Sequence, residues 1–200
     1  MKIKDKNEII SKLAKSSVGI AGLGGLGSNV AMALARAGIG RLVIVDFDEV
    51  EKSNLNRQAY TVDQVGMRKT EALMQNIAKA NPDVNVTAYH HHLEHGNMAE
   101  IFSSVDVVIE ALDSAATKAA FIEEILLAYP KMPLIAASGV AGIRGSERIQ
   151  MRKSGTLYLV QDELAPSCED SVVLAPKVGI FAHWQANLAL EILLEGTHAD

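Results

Sequence analysis

The chain has 200 residues, 48% hydrophobic and 22% charged, with a formal net charge of -5. That is long enough to bury one sizeable core and too apolar for global disorder, and it lacks the basic excess of a dedicated nucleic-acid binder. A single cysteine, Cys168, excludes an internal disulfide framework and any zinc site built on paired Cys-x-x-Cys motifs. No apolar run is long enough to span a bilayer, and the charged start, Met1 to Lys6, does not read as a signal segment. The expectation is one soluble domain over residues 1–200, in a reducing and cytoplasmic compartment, with no membrane and no nucleic acid as partners.

In chain order, Asn7 to Lys15 reads as a short helix with Ile9, Ile10 and Leu13 on one face. Ser17 to Ala21 is a short buried strand running into Gly22-Leu23-Gly24-Gly25-Leu26-Gly27. Ser28 to Ala37 is an alanine-rich helix ended by Gly38, and Leu42 to Val45 is an apolar strand ending at Asp46. Such unalternating runs suit strands covered on both faces, as in parallel sheets. Further helices are predicted over Met67 to Ala80, Met98 to Ser103 and Ala115 to Ala128. Strands are predicted over Val84 to Tyr89, Val105 to Ile109 and Pro133 to Ala137. This alternation implies a Rossmann-like α/β fold, doubly wound around a mostly parallel sheet. Arg148 to Arg152 and Leu157 to Val160 then read as a hairpin around Lys153-Ser154-Gly155, an antiparallel C-terminal extension. The polar stretch Gln161 to Ser171 holds Cys168, and Lys177 to Leu194 reads as a long, buried closing helix.

Three segments carry chemistry. Gly22, Gly24, Gly25 and Gly27 lie between a strand and a helix, so backbone N–H groups and the helix N-terminus can face a phosphate. Asp46 closes the second strand, where a carboxylate accepts ribose hydroxyls. The bland alternative is a glycine turn that only permits tight helix–sheet packing. Next, Ser53-Asn54-Leu55-Asn56-Arg57-Gln58 places Asn54 and Arg57 three apart, one helical turn, and Lys69 follows in Gly66-Met67-Arg68-Lys69-Thr70. Cations converging on a phosphate chain suit phosphoryl or nucleotidyl transfer, against the alternative of ordinary surface charge. Last, Asp113 follows the fourth strand in Glu110-Ala111-Leu112-Asp113-Ser114, at the edge where open parallel sheets bind ligands. It can hold Mg²⁺ or cap the next helix, a role Ser114 fills equally well. The run His90-His91-His92 with His95 points to both faces of a strand and reads as a solvated strand end more than a metal site. Phe181 and Trp184 read as core or dimer contact.

Together these motifs resemble the ThiF/MoeB branch of the ubiquitin-activating-enzyme superfamily, over about Ser16 to Leu194. The most specific part is the glycine loop followed by Asp46-x-Asp48 and Ser53-Asn54-Leu55-Asn56-Arg57-Gln58. The resemblance implies ATP- and Mg²⁺-dependent adenylation of the C-terminal carboxylate of a small ubiquitin-like carrier, with release of pyrophosphate. It implies a nucleotide loop of Gly22, Gly24, Gly25 and Gly27, with Asp46 on the ribose and Asp48 beside it. Asn54, Arg57 and Lys69 would contact phosphates, and Asp113 would be the Mg²⁺-associated aspartate. A homodimer, a ThiS-like sulfur carrier and a sulfur-donor protein are the implied partners, with a role in thiamine (thiazole) biosynthesis. The chain matches the compact members of the branch.

Two departures stand out. The paired cysteines of longer members are missing, so no structural zinc is expected, and residues 1–16 hold no arginine where the family's N-terminal segment supplies one to the partner subunit. Lys4 or Lys6 substitutes, the contribution is absent, or the activity is altered. Cys168, in Pro166-Ser167-Cys168-Glu169-Asp170, sits where ThiF-type enzymes carry the cysteine that links covalently to the carrier, although Glu169 and Asp170 disfavour a thiolate. An incidental loop cysteine is the other reading. Three rival functions remain: an NAD-dependent oxidoreductase on the same fold, a ThiF-like enzyme acting on a tRNA-borne carboxylate, and a non-catalytic nucleotide-binding homologue.

Overall fold

The computed structural model describes residues 5–195. Lys4 lies outside them; Lys6 opens α1 (Lys6–Leu13). The chain continues through β1 (Ser17–Ala21), α2 (Gly25–Ala37), β2 (Arg41–Asp46), α3 (Lys69–Ala80) and β3 (Asn85–His90). It then passes through β4 (Val107–Glu110), α4 (Ala115–Ala128), β5 (Leu134–Ser138), β6 (Gln150–Ser154), β7 (Leu157–Gln161) and α5 (Ala175–Glu195). The strands form one sheet in the order β3-β2-β1-β4-β5-β7-β6. Every neighbouring pair is parallel except β6 and β7. The Rossmann-like doubly wound sheet, the antiparallel extension and the closing helix are therefore all present.

The central strands are buried along their whole length because helices cover both faces. Ile20 pairs with Ile44 on one side and Ile109 on the other. On one face, α2, α3 and α5 close over Val18, Ile20, Leu34, Leu73 and Phe181. On the other, α4 packs Phe121 edge-on against Phe102, with ring centroids 5.5 Å apart.

Several element boundaries differ from the sequence expectation, some for reasons visible in local contacts. The helix expected over Met98 to Ser103 is a single 3₁₀ turn, Glu100–Phe102. The N–H groups of Gly96, Met98 and Ala99 donate instead to the Glu124 carboxylate on α4, at 2.7, 2.8 and 3.0 Å. Helix α3 starts at Lys69, because the Met67 carbonyl accepts the Val50 N–H at 2.8 Å and so belongs to the preceding loop. Strand β4 starts at Val107, since Asp106 turns its carboxylate to the Ser17 N–H and hydroxyl. Helix α2 starts at Gly25, within the glycine loop, and not at Ser28.

The order of the sheet reverses between β1 and β4, which opens a crevice at their C-terminal ends. Beyond β5 and β7 the same edge is held by buried charge. The Asp162 carboxylate, fully buried, accepts Arg148 Nε at 3.1 Å and Nη2 at 3.2 Å, Lys177 Nζ at 3.0 Å and the Leu164 N–H at 3.2 Å. This grip also draws Arg148 into a 3₁₀ turn, Ser146–Arg148, so β6 begins two residues later than expected. A buried carboxylate with this many donors is held in its charged form.

The Arg148 hydrogen bonds, followed by those from Lys177 and Leu164, keep the Asp162 carboxyl below its ordinary value of 3.8. Its contribution to stability is therefore complete above that value and is lost as pH falls below it, through the folded-state pKa. The stability advantage of the native chain over Asp162→Asn should be constant from pH 7 to about pH 5 and shrink below about pH 4. Chemical denaturation across that range measures it; a gap independent of pH would assign the effect of the substitution to packing alone.

Candidate functional site

The glycine loop is shaped by close backbone approach. Gly22 has φ of +87°, and a Cβ there would sit 2.7 Å from the Ala111 carbonyl oxygen at the exit of β4. A Cβ at Gly27 would collide with the Gly22 carbonyl oxygen. Gly24 differs: a Cβ there would meet nothing nearer than Gln58 Nε2 at 3.9 Å. The space in front of Gly24, at the N-terminus of α2, is open, and helix N–H groups with their partial positive charge face that end.

The peptide of Leu23 is held on both sides. Its N–H donates to Asp46 Oδ2 at 2.6 Å, and its carbonyl accepts the Tyr60 hydroxyl at 2.9 Å. Asp46 Oδ1 accepts the Asp48 N–H at 2.8 Å. Each carboxylate oxygen keeps a second lone pair for a ligand hydroxyl. Burial pushes the Asp46 carboxyl up, and the nearby Lys69 ammonium opposes that shift. Burial, reinforced by Asp46 and Asp48, also raises the Tyr60 phenol well above its ordinary value, so it stays a donor.

Lys69, almost fully buried, ion-pairs with Asp48 Oδ2 at 2.5 Å and lies 3.9 Å from Asp46 Oδ1. Asn54 ends a 3₁₀ turn, Lys52–Asn54, and its carbonyl accepts the N–H groups of Arg57 and Gln58. One helical turn thus does separate Asn54 from Arg57. The Asn54 carboxamide oxygen accepts the Glu51 N–H, and Arg57 Nη1 donates to the Ser53 carbonyl and Asn56 Oδ1. The Arg57 stem lies over Gly25, with Cγ 3.5 Å from where a Cβ would be. Ser28 and Asn29 fasten this segment to α2: Ser28 Oγ accepts the Ala59 N–H, and Asn29 Nδ2 donates to the Arg57 carbonyl.

Asp113 follows β4 and is exposed; its Oδ1 accepts the Ser114 N–H at 2.7 Å. The N-cap of α4 is Ser114, whose hydroxyl accepts the Thr117 N–H, so the capping alternative for Asp113 is not the one realised. Cys168 is exposed on the loop between β7 and α5. The contacts thus gather Gly22 to Gly27, Asp46, Asp48, Arg57 and Lys69 at the exits of β1 and β2. Asp113 and Cys168 stand on two further loops at the same sheet edge. The histidine run brings no ligand cluster: among the described residues no group of three His, Cys, Asp or Glu side chains could hold a metal ion, and His92 pairs with Glu94.

Sequence reasoning missed several members. Tyr60 carries no motif. Gln58 ends the Ser53-to-Gln58 motif, yet its Oε1 is buried without a hydrogen-bond partner, at the side of the open space before Gly24. Glu110 is fully buried and takes an ion pair from Lys118 of α4, while its backbone carbonyl accepts Gln185 Nε2 at 3.1 Å. Burial raises the Glu110 carboxyl, and Lys118 opposes the rise. A lone acid closing the apolar run Val107-Val108-Ile109 is the signal that could have marked it.

Comparison with known proteins agrees with this geometry. Residues 3–199 match the ThiF family. The chain is 34% identical over 190 residues to the sulfur carrier protein ThiS adenylyltransferase of Escherichia coli (strain K12), covering 91% of this chain and 74% of that protein. It is 33% identical over 190 residues to the adenylyltransferase and sulfurtransferase MOCS3 of Aedes aegypti, covering 92% of this chain. It spans only 43% of the length of that relative. Among solved structures, the tRNA N6-threonylcarbamoyladenosine dehydratase TcdA of E. coli, in complex with ATP, superposes with a TM-score of 0.86 at 26% identity, covering 96% of this chain and 90% of that one. With its glycine loop, its sheet order and its match over nearly the whole length, the chain belongs to the ThiF family.

Proposed function

We propose that the chain is an adenylyltransferase that uses ATP to activate the C-terminal glycine carboxylate of a small, ThiS-like sulfur carrier, releasing pyrophosphate. The observation that carries this reading is the Leu23 peptide, gripped by Asp46 and Tyr60, with the Arg57 stem lying over Gly25. This presents backbone donors and a cation to one anionic chain. The open space at Gly24 and the unpartnered Gln58 carboxamide oxygen fit a nucleotide. The relative named for ThiS adenylylation, covered over most of its length, supports the same acceptor.

In this reading a carrier carboxylate oxygen attacks the α-phosphorus of ATP, and the bond to the bridging oxygen breaks as pyrophosphate leaves. The residues do little covalent work; they align the two substrates and stabilise charge on the leaving group. Asp46 accepts ribose hydroxyls through its remaining lone pairs. Arg57, Lys69 and Asn54 contact phosphate oxygens, and Lys69 brings Asp48 with it. Asp113 is an exposed carboxylate with an oxygen beyond its Ser114 contact, which fits Mg²⁺ held by one carboxylate and substrate phosphates. Bound there, Mg²⁺ would neutralise phosphate charge. Cys168 supplies the thiol of a later covalent link: its sulfur attacks the carbonyl carbon of the carrier acyl-adenylate, a thioester forms, the bond to the phosphate oxygen breaks, AMP leaves and the thiol proton passes to solvent. A homodimer, a sulfur-donor protein, a cytoplasmic setting and a role in thiazole formation belong to the same proposal, as does treating residues 1–200 as one adenylation domain. Among the described residues no helix is long and apolar enough to cross a membrane.

The superposition on TcdA favours a second reading, in which the activated carboxylate is carried by tRNA. ATP–pyrophosphate exchange separates the two. Exchange should depend on a carrier protein ending in Gly-Gly and not on tRNA; exchange stimulated by tRNA alone would replace the first reading with the second. Asp113→Ala and Arg57→Ala should each lower exchange by about 10²–10³-fold, with circular dichroism unchanged. Wild-type rates in either variant would remove that residue from the mechanism. Cys168→Ser should keep exchange and lose any covalent carrier–enzyme species on non-reducing gels; a species that persists would place the link on another residue.

A further inference from the structure

The first turn of α5 touches three parts of the active edge at once. Val178 packs on the nucleotide loop, its Cγ1 3.2 Å from where a Gly25 Cβ would be. The Ala175 N–H donates to the Asn56 carbonyl at 3.2 Å, next to Arg57. Between them Lys177, only 5% exposed, spends its three ammonium protons on the Ala141 carbonyl (2.8 Å), the Arg144 carbonyl (3.1 Å) and Asp162 Oδ2 (3.0 Å). Asp162 and Lys177 bracket the loop that carries Cys168, so their pair closes that loop at its base. The two carbonyls belong to the other loop, which follows β5. The loops also meet directly: the Gly142 N–H donates to the Val172 carbonyl at 2.8 Å, and a Cβ at Gly142 would press on Pro166.

A buried ammonium is costly unless every proton is used, and one whose protons all point at two loops is a fastening. Simple stability would be served as well by an apolar side chain here. We infer that Lys177 is a positioning residue for the covalent step: it locks the loop after β5 to the Cys168 loop and sets both against the nucleotide loop through the first turn of α5. This rests on the adenylation reading, which supplies the acyl-adenylate and takes Cys168 as the thiol that displaces AMP from it. Lys177 itself, buried with its three protons spent within the protein, has none left for nucleotide or acceptor.

The test uses the full chain with its Gly-Gly carrier. In Lys177→Met, Asp162 keeps both Arg148 hydrogen bonds, so the fold has a partner for its buried carboxylate. Three readouts are taken: carrier-dependent ATP–pyrophosphate exchange, the yield of the Cys168–carrier species, and hydrogen exchange of the amides of Gly142, Leu164 and Ala165. Lys177→Met should keep exchange within about threefold, lower the covalent species by about tenfold or more, and speed those amides. Lys177→Arg should recover part of the covalent yield. Exchange and covalent yield falling together, or neither changing, would overturn the inference. If the wild-type chain shows no exchange with any carrier, the adenylation reading fails; unchanged protection of those amides in Lys177→Met would then separately dismiss the fastening.

Discussion

The structure of this edge depends on the backbone of one residue, held at both of its peptide groups. Leu23 sits where the glycine loop turns out of β1, and both of its backbone groups are claimed: the N–H by Asp46, the carbonyl by Tyr60. An unsecured glycine-rich loop would sample many conformations, since glycine loses more freedom on folding than any other residue. Fastening Leu23 in its midst offsets that cost and fixes the direction of the α2 N-terminus. Asp46 then draws in the Asp48 N–H and the Lys69 ammonium. A single buried carboxylate thus orders the exit of β1, the exit of β2 and the start of α3.

The edge divides into two kinds of charge. Glu110, met by Lys118, and Asp162, met by Arg148 and Lys177, are buried carboxylates whose hydrogen bonds are spent on the protein itself. They set loop positions and have little left for a ligand. Asp113, Arg57 and Cys168 are partly or wholly exposed. In the proposed function, fixed buried carboxylates behind the exposed groups would spare the scaffold reorganisation, the condition under which electrostatic stabilisation is strongest.

What the sequence made legible is what short-range pattern encodes. Unalternating apolar runs gave away β1, β2 and β5, and glycine spacing gave the loop. Asp46 and the Asn54–Arg57 turn were visible because each lies at a fixed distance from the loop or from its partner. Helix starts were less legible. Gly25 reads as loop because glycine is a poor helix former, and α5 begins at Ala175 because Pro176 in a first turn forfeits only an N–H that has no helical partner anyway. The pairings of Tyr60 with Leu23, Glu110 with Lys118 and Asp162 with Lys177 stayed hidden. Each joins residues from separate segments across a loop or a crossover, which leaves no local periodicity. Cys168 was legible as a residue, yet its tie to the nucleotide loop through the first turn of α5 was not.

Affinity for MgATP, measured by calorimetry on the native chain and on Tyr60→Phe and Asp46→Ala, tests most directly whether the gripped Leu23 peptide makes the nucleotide site. Tyr60→Phe, which loses one hydrogen bond that preorganises the ligand's donors, should weaken binding by about tenfold, and Asp46→Ala, which also loses the proposed ribose contact, should weaken it further, while both variants still unfold cooperatively. Native affinity in both folded variants would contradict the central role of that peptide.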